Sequence, residues 1–191
     1  MTRTMRDSTT ATDIPVRGTD LVAGYINGTF EWTQADYGRF PGIPHVFIDI
    51  SGSHPNAGVL DVEPGCAPVA DVPAWVKARK AALPHAYVPV IYCTRSFLTP
   101  IFNVLEAEDL HVVSDFRLWI ATLDGTRHVP DMTGVTAVQY KRGRAQRPDG
   151  SWAEPPGPNV SRAATKATIG GGVRIVASLI LDLPGLDEES R

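Results

Sequence analysis

Short apolar runs at residues 21–26, 45–50, 57–63, 88–93, 117–122 and 135–140 recur along this chain, with helical patterns between several of them. Each run is strand-sized, and most are rich in β-branched or aromatic residues. Strands alternating with helices confine the chain to an α/β architecture with a largely parallel sheet. Thr33-Gln34-Ala35-Asp36 has the form of a capping box that opens a short helix, which Pro41-Gly42 ends. Asp71 can cap a helix running to residue 83, with Val72, Trp75, Val76 and Leu83 as its apolar stripe and Pro84 as its stop. Thr99-Pro100 opens another, with Ile101, Phe102 and Leu105 facing inward.

The runs divide the chain. Residues 1–18 are polar and lack periodicity, and read as a flexible tail before a domain at 19–140. Residues 141–172 break the pattern into an extended arm with Arg142, Arg144, Arg147, Trp152 and Pro155-Pro156. An irregular segment of that length reads as a binding loop or an assembly arm. Residues 173–191 read as a final strand followed by a C-terminal tail.

At 191 residues the chain suffices for one domain with a core of its own. A net charge of −3 favours neither nucleic acid nor a membrane surface as partner, and no apolar stretch approaches a membrane span. The first 17 residues have no apolar core, so they do not form a secretory signal. Cys66 and Cys93 are too few for a disulfide framework, and the five histidines lack metal-ligand spacing. No metal and no cofactor are expected. The basic cluster at 141–147 reads as a solvated loop or as a contact for a polyanion, and Gly170-Gly171-Gly172 lacks the pattern of a phosphate loop.

Chemistry concentrates at Asp61-Val62-Glu63. On a strand, Asp61 and Glu63 point one way while Leu60 and Val62 point the other. Two carboxylates in one half-buried patch repel, which raises the pKa of one and provides a proton donor beside an ionised partner. The bland alternative is an acidic strand end facing water. In parallel sheets and barrels ligands bind at the carboxyl ends of strands, where Asn27, Asp49, Glu63, Arg95, Thr122 and Gln139 would gather. Trp32, in the loop after the 21–26 strand, is an aromatic that either stacks on a ligand ring or packs into the core.

Several segments fall in a recognisable order: Gly24-Tyr25-Ile26-Asn27, Leu60-Asp61-Val62-Glu63, Pro89-Val90-Ile91-Tyr92-Cys93, Leu118-Trp119-Ile120-Ala121 and Ala137-Val138-Gln139-Tyr140. Over residues 21–140 this set resembles the lysozyme-type muramidases of glycoside hydrolase family 25, and related glycoside-hydrolase-like domains of actinobacteria and their phages. The resemblance implies a TIM-barrel-like (β/α) domain, trimmed or irregular because the connection at 50–57 is too short for a helical crossover. It implies Glu63 as general acid and Asp61 as the carboxylate stabilising positive charge at the sugar. Substrate contacts are expected from Asn27, Asp49, Tyr92, Trp32, Trp119 and Gln139, with core packing as the more common role of an aromatic such as Tyr92 or Trp119 on a strand. Retaining, inverting and substrate-assisted chemistry all stay open at this spacing.

Against the family pattern, Asn27 stands where the first strand ordinarily ends in Asp, and Asn159 is the nearest counterpart of a late Asp. Asp49, ending a neighbouring strand, is the residue that would compensate. The expected partner is a cell-wall glycan, with a cytoplasmic or phage-associated location. The alternative is a noncatalytic glycan-binding or phage structural protein that contacts virion proteins.

Overall fold

The computed structural model describes residues 2–54, 56–82, 88–123, 132–143 and 157–164. Eight strands close into a barrel in chain order. They are β1 (Thr2–Asp7), β2 (Leu21–Tyr25), β3 (His45–Asp49), β4 (Val59–Val62), β5 (Val90–Thr94), β6 (Arg117–Ala121), β7 (Val135–Gly143) and β8 (Gly157–Ala164). From β1 to β7 every neighbouring pair is parallel, whereas β8 runs antiparallel to both β7 and β1 and closes the ring. The α/β barrel expected from the sequence is therefore present, and it is irregular.

Helices cover the barrel unevenly. α1 (Gln34–Tyr37) is a single turn whose Thr33/Asp36 capping box forms as the sequence predicts. α2 (Val72–Ala82) and α3 (Leu98–Glu106) follow β4 and β5. Between β3 and β4 the described residues form no helix. Leu83 and Pro84, expected to end α2, lie outside the described residues.

Alternation along the strands divides the apolar residues into separate cores. Met5, Leu21, Ala23, Val46, Val59, Val90, Trp119 and Ala137 fill the barrel interior. On the outside, Leu60, Val62, Ile91, Cys93, Leu118 and Ile120 meet Val72, Trp75, Val76, Ile101 and Leu105 of α2 and α3. A smaller cluster of Ala11, Ile14, Val22, Trp32 and Phe40 seals the outer face of β2.

Two assignments made from the sequence are corrected. Residues 1–18 are not a tail, because Thr2–Asp7 pairs in parallel with β2 and supplies Met5 to the interior. A barrel strand needs only one apolar face, and here the inward residues are few and flanked by Thr and Arg, so no hydrophobic run marks it. Nor is 141–172 wholly an arm: β7 extends to Gly143, and Gly157–Ala164 is the closing strand. The strand expected within 173–191 lies outside the described residues.

Candidate functional site

β4 carries the acidic pair as alternation requires. Leu60 and Val62 are locked under the outer helices, which fixes the register and turns Asp61, beside Val59, toward the barrel interior. Asp61 is only 4% exposed. Glu63, one residue past the strand, is half-buried. Glu63-Pro64-Gly65-Cys66 then forms a tight turn, with Gly65 at φ 89° and the Cys66 N–H donating to the Glu63 carbonyl at 2.9 Å. The turn brings the Cys66 thiol within hydrogen-bonding reach of the Asp61 carboxyl.

A third carboxylate joins them. Asp7 ends β1 and is 3% exposed, and its charge acts on Asp61, Tyr25 and Tyr92. Burial, then Glu63, then Asp7 push Asp61 up to about 8, with the Cys66 thiol partly offsetting them. Asp61 therefore holds its proton at neutral pH. The Tyr25 and Tyr92 phenols are raised far above their usual values, first by burial and then by these same acids, so both stay neutral donors. Burial and then Asp61 and Glu63 also push the Cys66 thiol up to about 12, so it too stays protonated.

Polar groups around the acids keep bonding capacity in reserve. The Tyr92 hydroxyl donates to Gln139 Oε1 at 2.8 Å. Gln139 Nε2 and Asp61 Oδ1 are buried and have no hydrogen-bond partner among the described residues. Buried polar atoms are ordinarily paired, so unspent donors and acceptors on facing strands suit a polar ligand. No group of three or more His, Cys, Asp or Glu among the described residues is arranged to hold a metal ion.

The other expected site residues are distributed differently. Tyr92 and Gln139 do stand with Asp61. Asp49 shares a face with Phe47 as alternation predicts, but Phe47 packs edge-on against Tyr37 of α1, away from the interior. Asp49 is fully buried, and its oxygens accept from Asn27, Ser51, Gly52 and His54. Asn27 and Asp49 thus organise the loop after β3, and a saturated Asp49 does not compensate for a missing acid.

Trp32 is also displaced from the expected role. It is 5% exposed, its indole N–H donates to the Ser8 carbonyl at 3.0 Å, and its ring lies against Gly24, where a β-carbon would come within 2.4 Å. Trp119 is 1% exposed and meets Tyr92 edge-on in the barrel interior. Arg95 is exposed in a 3-10 turn, and Thr122 is engaged with the Gln139 carbonyl.

Asp7 is the residue that the sequence reading missed. The comparison of Asn27 with an acid ending the first strand falls away, because the first barrel strand is Thr2–Asp7 and it does end in a carboxylate. Thr2 to Asp7 contains a single apolar residue, Met5, so the sequence offers no periodic signal for this strand. In register, Asp7 pairs with Asn159 of β8.

Fold and site together define an α/β barrel with a cluster of buried and half-buried acids at the carboxyl ends of its strands. Among solved structures, the chain is similar to a family 25 glycosyl hydrolase from Bacillus anthracis, with 12% identity and a TM-score of 0.47 over 84% of this chain and 88% of that one. It is also similar to the CTP1L endolysin, with 16% identity and a TM-score of 0.48 over 85% of this chain and 66% of that one. No family model and no curated protein matches the sequence.

Proposed function

We propose that this protein is a glycoside hydrolase-like protein acting on peptidoglycan or a related N-acetylated glycan. The observation that carries this reading is the clustering of Asp7, Asp61 and Glu63, with Asp61 held protonated at neutral pH by burial and then by the other two. Three acids crowded where burial penalises their charge share protons unequally, and unequal sharing is what acid-catalysed glycosidic cleavage uses.

The three acids differ in reach. Glu63 is half-buried where Asp7 and Asp61 are buried, and as the most accessible of the three it is the one to protonate a leaving glycosidic oxygen. Asp61 lies deeper, with a thiol donor at hand to stabilise it once ionised. A glycan covering Glu63 desolvates it and raises its proton affinity, so the proton held on Asp61 at rest moves to Glu63. Asp61, now a carboxylate, stabilises the positive charge that develops as the sugar's acetamido oxygen bonds to the anomeric carbon and the leaving oxygen takes the proton. Water then opens the cyclic intermediate, and Glu63 accepts the proton released.

The test is release of reducing ends from purified peptidoglycan by wild type, Glu63→Gln and Asp61→Asn, with folding followed by circular dichroism. Release by wild type and its loss in both variants is expected. Equal release by wild type and Glu63→Gln removes Glu63 from catalysis, and binding to wall without release by wild type supports the noncatalytic reading.

A further inference from the structure

The loop after β2 holds one large apolar residue that the fold leaves outside. Gly28–Phe30 is a 3-10 turn, and Phe30 is 41% exposed while its neighbours Tyr25 and Trp32 are buried. The turn is fixed from several directions. Gly28 takes φ 77°, and a β-carbon there would stand 2.2 Å from Ile50 Cδ1, so the turn lies directly on the loop after β3. The Glu31 N–H donates to the Gly28 carbonyl at 3.2 Å and the Trp32 N–H to the Tyr25 carbonyl at 2.8 Å. Trp32 is itself tied down through its indole to Ser8.

Phe30 does not lie on a neutral surface. Its ring centroid is 5.6 Å from that of Tyr25, with the planes at 59°. Tyr25 in turn borders the acids, being under the influence of Asp7, Asp61 and Glu63. A half-exposed aromatic is thus displayed beside Tyr25, the residue that links it to the acids. Exposing such a ring forfeits the burial free energy that a large apolar side chain gains inside a fold.

We propose that Phe30 is a stacking platform beside Tyr25 and the acids, seating one pyranose ring of an N-acetylated glycan next to the sugar that meets Asp61 and Glu63. This assignment rests on the glycan reading above. The C–H face of a pyranose is apolar and weakly positive, which complements the negative face of an aromatic ring. Phe30 takes the role that the sequence assigned to Trp32, which is two residues further on and is enclosed by the fold.

Calorimetric titration of β-1,4-linked N-acetylglucosamine hexamer into Glu63→Gln protein, which prevents turnover, tests the proposal. Phe30→Ala in that background is expected to weaken binding roughly tenfold. Phe30→Tyr is expected to preserve it, and Val16→Ala, at another exposed apolar residue, to leave it unchanged. Circular dichroism and thermal melting show each variant folded. Hexamer binding that is the same with and without Phe30→Ala, or weakened equally by Val16→Ala, overturns the platform and leaves the glycan reading standing. Failure of the parent protein to bind either hexamer or intact peptidoglycan overturns both.

Discussion

Asn27 Nδ2 donates to Asp49 Oδ1 at 2.7 Å, and Asn27 Oδ1 accepts from the Ile50 N–H at 3.0 Å. The two side chains join the ends of β2 and β3, and the Asp49 carboxylate gathers the loop that leads on to β4. Burial, the largest influence, raises the Asp49 pKa, but the hydrogen bonds from Asn27, His54, Ser51 and Gly52 together outweigh it and leave the carboxyl lowered. Asp49→Ala strands several buried donors, so a loss of about 3 kcal/mol in urea unfolding is expected. Because the folded pKa is lowered, this stabilisation is present above pH about 4 and is lost as pH falls through the folded value. The gap between wild type and Asp49→Asn should therefore narrow toward pH 2.

β1 is an obligatory stave of the barrel. Removing residues 2–7 uncovers the edges of β2 and β8 and takes Met5 from the interior. Exposed edges recruit other chains. A chain beginning at Ser8 is expected to lose its cooperative thermal transition and to elute as aggregate in size-exclusion chromatography. A monomeric, cooperatively melting product would return residues 1–18 to the status of a tail.

Periodicity made β4 legible and left β1 hidden. At Leu60 and Val62 the outward face is apolar because helices cover it, so the inward direction of Asp61 followed from the neighbours alone. In β1 the outward face carries Thr4 and Arg6, and the inward face carries Met5 and then Asp7. A short strand with one apolar residue and a buried acid at its end lacks the apolar run on which strand recognition depends. Asp49 and Trp32 went astray for a different reason. Whether a polar or aromatic residue at a strand end faces a ligand or is taken by a loop depends on partners tens of residues away, such as Ser8 for Trp32. Local pattern does not encode that choice.

Cys66 is expected to tune Asp61. The thiol within reach of the carboxyl favours the ionised form, against burial and the charges of Glu63 and Asp7. Cys66→Ala should move the Asp61 titration further upward, whereas Cys66→Ser, with a stronger hydroxyl donor, should lower it. Carboxyl carbon shifts followed by NMR across pH 5 to 10 would read both directly. Identical titration curves in the two variants would show the thiol to be a bystander.

Asp61→Asn separates the stability of the site from its chemistry. The wild-type carboxyl titrates at about 8 in the fold, against a usual value of 3.8. Below pH 4 both folded and unfolded chains are protonated there, so the group costs nothing. As pH rises the unfolded chain releases its proton while the fold retains it, and stability falls continuously until the folded carboxyl ionises near pH 8. Each unit of difference is worth about 1.4 kcal/mol, so the accumulated penalty is on the order of a few kcal/mol. An amide of the same shape escapes the penalty, and its Nδ2 can donate to the neighbouring acids. Asp61→Asn is therefore expected to melt higher than wild type at pH 8, to converge with it at pH 4, and to release no reducing ends from peptidoglycan. A melting difference that does not change with pH would show that Asp61 ionises normally, and would withdraw the proton store on which the proposed acid catalysis relies.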